Sequence, residues 1–241
     1  MIFSPGTLFY AFVGGIVPAL IWLYFLLKED ARCPEPRHVI VIAVIAGMLA
    51  VPLSLPLEHL ALLTLPSGDP SPGLPVLLAW ATIEEVAKYS LAALFVLWRR
   101  EVNESVDFVV YMITVALGFA AIENMLFLIQ PLAQGHLASG IATQDLRFIG
   151  STLVHVICSA LVGFSLALSF VFAKKYYMYA AIVGLILAIS LHTIFNFLII
   201  ERDGSHTVIA FLTVWIGTVV FLALFEILKY FRYRRLPKNT C

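Results

Sequence analysis

Thr82-Ile83-Glu84-Glu85-Val86-Ala87-Lys88-Tyr89 lies inside an apolar run from Pro75 to Trp98. Two adjacent carboxylates and an ammonium thus stand where a bilayer-spanning helix should hold hydrocarbon. A charge at the bilayer centre costs about 2.5–3.5 kcal/mol on insertion scales, so intramembrane ionisable residues face a polar cavity and are read as functional by default. On a helix, Glu84 and Lys88 share a face one turn apart and would partly neutralise each other. Glu85 points about 100° away and needs a partner of its own.

The surrounding composition says which solvent that helix meets. The chain has 241 residues, 61% of them hydrophobic and 12% charged, with a mean hydropathy of +0.98. This excludes a soluble domain with a polar surface and predicts an all-α, polytopic transmembrane helix bundle, a single integral-membrane domain over residues 1–241. A formal net charge of zero gives no support for nucleic acid as a partner. The lipid bilayer is the partner that the composition requires. Cys33, Cys158 and Cys241 are too few and too far apart for a disulfide framework or a cysteine metal site. The first apolar run has no basic residue before Lys28 and exceeds a signal-peptide core in length, so it reads as a retained span.

Crossing about 30 Å of hydrocarbon takes about 20 residues. Runs of that length fall at Gly6–Leu27, His38–Leu65, Leu74–Trp98, Val106–Ile129, Phe148–Phe172, Tyr176–Ile200 and Thr207–Tyr230. That gives seven spans, with eight as the alternative count. Pro52 and Pro56 predict a kink or an early end in the second, leaving Glu58 and His59 near its outer mouth. Ser67–Gly73 is a turn, and Pro131–Arg147 reads as the longest surface loop.

Lys28, Arg32, Arg37, Arg99, Arg100, Lys174, Lys175, Lys229, Arg232, Arg234, Arg235 and Lys238 are twelve of the 15 Lys and Arg. With seven spans they occupy alternate connections on one side. Arg147 and Arg202 fall on the other, and Lys88 is intramembrane. The basic excess marks the cytoplasmic face, so the N-terminus is expected outside and the C-terminus in the cytoplasm.

Depth follows at about 1.5 Å per residue. Glu84 lies about 15 Å inside the outer surface, His155 about 10 Å, Glu123 about 10 Å, His192 about 12 Å and Asn196 about 6 Å. Four antiparallel helices thus carry polar groups to one level in the outer half of the membrane. Phe119-x-x-x-Glu123-Asn124 supplies a third carboxylate, and His155, Ser159 and Gly163 line one face of the fifth span. His192-x-x-x-Asn196 places two hydrogen-bond donors on one face of the sixth. Two donors beside a carboxylate-activated water are what peptide hydrolysis needs to stabilise a developing oxyanion.

Each motif also has a plainer reading. Glu84-Glu85-x-x-Lys88 would serve as a buried ion pair, Glu123 and Asn124 as interhelical hydrogen bonds. His155 and the His192–Asn196 pair would serve likewise, with Gly163 as a close helix contact. No His-Glu-x-x-His zinc helix is present, and spacing does not argue for Glu/His ligation across four helices. No cofactor is expected.

Taken in order, Glu84-Glu85-x-x-Lys88, Phe119-x-x-x-Glu123-Asn124, His155 with Gly163 and His192-x-x-x-Asn196 resemble the motif set of the PrsW family. Pro18-Ala19 through Glu29-Asp30, then Pro34-Glu35-Pro36, resemble that family's first helix and following loop. These are glutamic-type intramembrane proteases, distantly akin to the CAAX prenyl endopeptidases. The resemblance implies a multi-pass protein of a prokaryotic cytoplasmic membrane, the cell membrane. It also implies cleavage of single-span membrane-protein substrates, such as anti-sigma factors, in site-1 fashion on the extracytoplasmic side. It assigns water activation to Glu84 with Glu85, assistance to His155, and the oxyanion hole to His192 and Asn196. Lys88 would tune the carboxylates, Glu123 would bind the water or hold a neighbour, and Phe119, Asn124 and Gly163 would support. A proton-coupled transporter and a non-catalytic scaffold for partner helices are the competing readings. The first would favour inverted repeats, which this chain lacks. The second predicts partner binding indifferent to the Glu and His residues.

Overall fold

Backbone polar groups cannot stay unpaired in hydrocarbon, so apolar runs of this length close their hydrogen bonds as helices. A computed structural model of the chain describes residues 3–29, 34–68, 71–135, 137–172, 174–201 and 206–235, and among these there is no strand. Seven α-helices follow in order: α1 Pro5–Glu29, α2 Arg37–Thr64, α3 Gly73–Ala92, α4 Ser105–Ala133, α5 Leu137–Phe172, α6 Tyr177–Asn196 and α7 Thr207–Arg235. π-helical turns at Ala93–Leu97 and Phe197–Glu201 prolong α3 and α6. Six of the seven are long and apolar enough to cross a bilayer. The remaining one, α3, has the 20 residues required but carries Glu84, Glu85 and Lys88. Of the residues used above for charge or cysteine arguments, Arg32, Cys33, Arg202, Lys238 and Cys241 lie outside the described residues.

Two expectations need correction. Pro131 and the two residues after it complete α4, the chain turns at Gln134–Gly135, and α5 begins at Leu137, so the expected Pro131–Arg147 loop is mostly helix. Gly135 makes the turn with a φ of 73°, which an L side chain would resist. At 36 residues, α5 is about 54 Å long and overshoots the hydrocarbon. Polarity there marks departure from the membrane, not loss of the helix. Likewise, the early end allowed for α2 does not occur: the helix continues through Pro52 and Pro56 to Thr64, as membrane helices can when neighbours satisfy the freed backbone groups. Of the expected Ser67–Gly73 turn, Asp69 and Pro70 lie outside the described residues, and Gly73 opens α3 at a φ of 77°.

α4 is the axle of the bundle. Of its apolar stretch 94% is buried, against 17% for α1 and 22% for α7. Its entry is tightly specified: Asp107 Oδ2 accepts the backbone N–H groups of Asn103 and Glu104, both at 2.8 Å, satisfying donors that a helix start leaves open. Tyr111 donates its hydroxyl hydrogen to Glu35, tying the Pro34-Glu35-Pro36 segment to α4. Apolar side chains on outer faces, such as Phe9, Leu20 and Leu63, suit a lipid solvent.

Glycines let the neighbours touch α4 backbone to backbone. A Cβ on Gly47 of α2 would lie 1.9 Å from the Val115 carbonyl oxygen, and one on Gly118 of α4 would lie 2.1 Å from that of Val44. A Cβ on Gly15 would meet the Ala121 oxygen at 2.4 Å, and one on Gly163 the Phe108 oxygen at 2.6 Å. Such contacts drive helix association where no hydrophobic effect operates between helices. Gly118→Val is therefore expected to destabilise the folded bundle by about 1–3 kcal/mol or more, read as a lower unfolding midpoint in micelles. An unchanged midpoint would refute the close crossing of α2 and α4.

Candidate active site

α3, α4, α5 and α6 deliver their polar residues to one buried cluster. Glu85 and Lys88 are 1% and 0% exposed, His155 1%, His192 2% and Glu84 6%. Lys88 Nζ donates to Glu85 Oε1 at 2.6 Å and lies 3.2 Å from His155 Nδ1. It also stands over the Phe119 ring, 4.9 Å from the centroid. The same Glu85 oxygen is 2.8 Å from His192 Nδ1. Across the cluster, His155 Nε2 is 2.6 Å from Glu123 Oε2, which also accepts from Ser151 Oγ at 3.1 Å. The two imidazoles meet edge to face, 5.1 Å between centroids, and Phe119 packs on His155 at 5.0 Å.

The carboxylate that Lys88 neutralises is thus Glu85 at i,i+3, not Glu84 at i,i+4. Rotation of α3 decides this: Glu85 faces into the bundle toward α6, while Glu84 faces α2 and α4. Glu84 Oε2 is buried without a hydrogen-bond partner. It lies 3.8 Å from His155 Nδ1 and 3.8 Å from His192 Nε2. It also lines a 220 Å³ cavity with Glu123, Phe119 and residues of α2.

Hydrogen bonding fixes the imidazole protons. Glu85 claims the proton on His192 Nδ1 and Glu123 the proton on His155 Nε2, so each ring turns its other nitrogen, a lone pair, toward Glu84. A carboxylate oxygen and two imidazole acceptors therefore converge with no donor of their own except Lys88 at the His155 edge. Three carboxylates and one ammonium leave two negative charges in excess. Only a donor such as water, a proton or a cation can relieve that arrangement in a low-dielectric site.

Glu84, His155 and His192 could hold a metal ion, their ligand atoms lying within 4.8 Å of one another. Carboxylate-backed histidines are the usual outer support of such a centre. Glu85, Cys158 and His192 form a second such group. Part of this group is already engaged: Glu85 Oε1 serves Lys88 and His192, and Cys158 Sγ donates to the Ala188 carbonyl at 3.3 Å, while Glu85 Oε2 is buried without a partner.

Not every expected residue joins the cluster. Asn124 donates to Thr152 Oγ1 at 3.0 Å, an α4–α5 hydrogen bond. Gly163 serves helix contact at Phe108, away from the cluster. Asn196, half-buried at the end of α6, makes no side-chain hydrogen bond among the described residues. Sequence reasoning passed over Ser151, although it sits at i−4 from His155 on the same helix face. Ser54 gave no signal before the helices were assembled.

The family described as "PrsW family intramembrane metalloprotease" matches residues 35–225. Protease PrsW of Geobacillus kaustophilus (strain HTA426) is 29% identical over 207 residues, covering 83% of this chain and 85% of that protein. Protease PrsW of Oceanobacillus iheyensis is 28% identical over 229 residues, covering 94% and 95%. Protease PrsW of Clostridioides difficile (strain 630) is 26% identical over 195 residues, covering 78% of each. No solved structure matches the chain. The family match spans every residue of the buried cluster, and the chain belongs to the PrsW family of intramembrane proteases.

Proposed function

We propose that this chain hydrolyses peptide bonds of single-span membrane proteins, anti-sigma factors among them, in the extracytoplasmic half of the cell membrane. The observation that carries the reading is Glu84, which lines the cavity and whose Oε2 is buried without a partner, 3.8 Å from a nitrogen of each imidazole. A structural ion pair commits its carboxylate to a counter-ion, as Glu85 does to Lys88 at 2.6 Å, whereas a general base needs a carboxylate that no counter-ion holds.

In this reading Glu84 takes a proton from water as the water oxygen bonds to the substrate carbonyl carbon. His192 Nε2 is the next acceptor, and Glu85, 2.8 Å from Nδ1, stabilises the imidazolium so formed, as a buried carboxylate does in a hydrolase triad. That imidazolium donates to the oxyanion, with the Asn196 amide as the second donor. The C–N bond then breaks and the departing amine takes the proton. Glu123 holds His155 by its Nε2 at 2.6 Å, which keeps Nδ1 beside Lys88 Nζ at 3.2 Å and Glu84 Oε2 at 3.8 Å. Lys88 keeps Glu85 ionised and fixed.

The donor set supports a second, metal-assisted form of the same hydrolysis, since the residues fit a divalent ion. Glu84, His155 and His192 would hold it, Glu123 and Glu85 would orient the two rings, and two excess negative charges would be neutralised. When bound, such an ion polarises water and carbonyl as a Lewis acid. Metal analysis of purified protein separates the two forms. One equivalent of zinc per chain, lost in His192→Ala, identifies the metal-assisted form; full activity with no stoichiometric metal identifies the form in which Glu84 acts alone.

The hydrolase reading itself is tested by comparing membrane-protein fragments from cells expressing wild type or Glu84→Gln at equal levels. Fragments truncated on the extracytoplasmic side of a span, seen with wild type alone, are expected. Identical profiles in a host holding the natural partners would point to the scaffold or the transporter.

A further inference from the structure

The cavity beside Glu84 has a third carboxylate that the mechanism does not use. Glu58 of α2 lines it together with Glu84 of α3 and Glu123 of α4. Glu123 is held by His155 and Ser151. The side chain of Glu58 has no hydrogen bond or ion pair among the described residues. Only its backbone is engaged, the carbonyl accepting from Trp80 Nε1 at 3.0 Å, which pins α2 to α3 at this level. One turn below on the same face, Ser54 also lines the cavity; it is 1% exposed and its hydroxyl has no partner. Lys88, the ammonium of the cluster, is turned away toward Glu85 and His155. The remaining walls are apolar: Val51, Leu55, Phe119, Leu126 and Phe127.

Size and charge together define the occupant. A cavity of 220 Å³ has room for a substrate side chain. Three carboxylates within apolar walls attract a cation strongly and repel an anion. A buried, unpartnered hydroxyl beside them offers a further acceptor to an N–H group.

We propose that Glu58 is a specificity-determining residue that, with Ser54, receives a lysine or arginine side chain of the substrate next to the bond presented to Glu84. The proposal rests on the hydrolase reading for its biological use, but the selectivity of the cavity stands independently of turnover. Glu58 thereby favours basic residues and excludes acidic ones at one position flanking the cut, a preference set partly by repulsion.

The test uses the full chain in proteoliposomes and a single-span substrate carrying Lys, Met or Glu at each position flanking the cut. For wild type, kcat/KM at one position is expected to favour Lys over Glu by roughly 100-fold, and Glu58→Gln to shrink that ratio at least roughly tenfold. Glu58→Lys is expected to invert it, favouring the Glu substrate, which a merely structural role could not produce. An unchanged Lys-to-Glu ratio in Glu58→Gln, or an equal loss on all three substrates, overturns the proposal. Binding of the same peptides to Glu84→Gln protein, read by fluorescence anisotropy, separates the two claims. A Lys preference in binding that disappears with Glu58→Gln upholds the cavity selectivity even where wild type cuts nothing, an outcome that would sink the hydrolase reading alone. No charge preference in binding or cleavage overturns the role of Glu58.

Discussion

Glu84→Gln is expected to lower the cleavage rate by about 10³-fold or more while leaving the bundle as stable as wild type or slightly more so. The two halves of this expectation have one origin. Glu84 Oε2 is buried and has no hydrogen-bond partner, so the folded state bears a polar atom whose hydration is not replaced. Removing such a charge relieves a cost of about 1–3 kcal/mol, whereas the amide cannot accept a proton from water at neutral pH. Gain of stability with loss of activity is the signature of a group placed for chemistry. Its neighbour provides the control. Glu85 is 1% exposed and bonded to Lys88 at 2.6 Å and His192 at 2.8 Å, so Glu85→Gln strands a buried ammonium and should cost stability instead. Cleavage of a single-span reporter and unfolding in micelles, measured on both variants, decide the matter. Glu84→Gln protein that retains cleavage within about tenfold of wild type would remove Glu84 as the base.

This contrast between adjacent glutamates also marks where the sequence stops being informative. Hydropathy located all seven helices, because apolar length is a physical requirement of the bilayer. The alternating direction of the spans then brought Glu84, Glu123, His155 and His192 to one level, and the cluster that forms contains them all. Rotation of each helix about its axis was not legible. In a soluble helix the apolar stripe shows which face is buried; here both lipid and core are apolar, and α4 is apolar almost all round. Only polar side chains report the rotation, and an i,i+4 rule applied to Glu84 and Lys88 chose the wrong carboxylate. Helix ends outside the membrane were lost for a related reason: residues beyond the hydrocarbon become polar whether or not the helix continues, as α5 does from Leu137. That Ser54 and Glu58 share a cavity with Glu123 required α2 and α4 to be set side by side. That placement comes from Gly47 and Gly118, whose missing side chains let the two backbones touch.

Lys88→Met should be the most destabilising single change in the cluster, by about 3–5 kcal/mol. Lys88 is fully buried, donates to Glu85 at 2.6 Å, lies 3.2 Å from His155 and packs over Phe119 at 4.9 Å. Methionine nearly matches its shape but leaves the Glu85 charge without a counter-ion, and an unpaired buried ion is far more costly than the absence of the pair. The double variant Glu85→Gln/Lys88→Met tests that asymmetry. Glutamine keeps a carbonyl oxygen to accept from His192 Nδ1 but brings no charge, so the double variant is expected within about 1–2 kcal/mol of wild type, more stable than Lys88→Met alone. Unfolding midpoints of wild type, both single variants and the double variant in the same micelle provide the cycle. A coupling of about 2 kcal/mol or more locates the cost in the stranded charge, whereas strictly additive losses would mean that Lys88 stabilises the bundle through packing. The double variant should nevertheless cleave poorly, since a neutral residue 85 no longer stabilises the imidazolium of His192. Recovery of the fold without recovery of cleavage would separate what Glu85 does for the bundle from what it does for the chemistry.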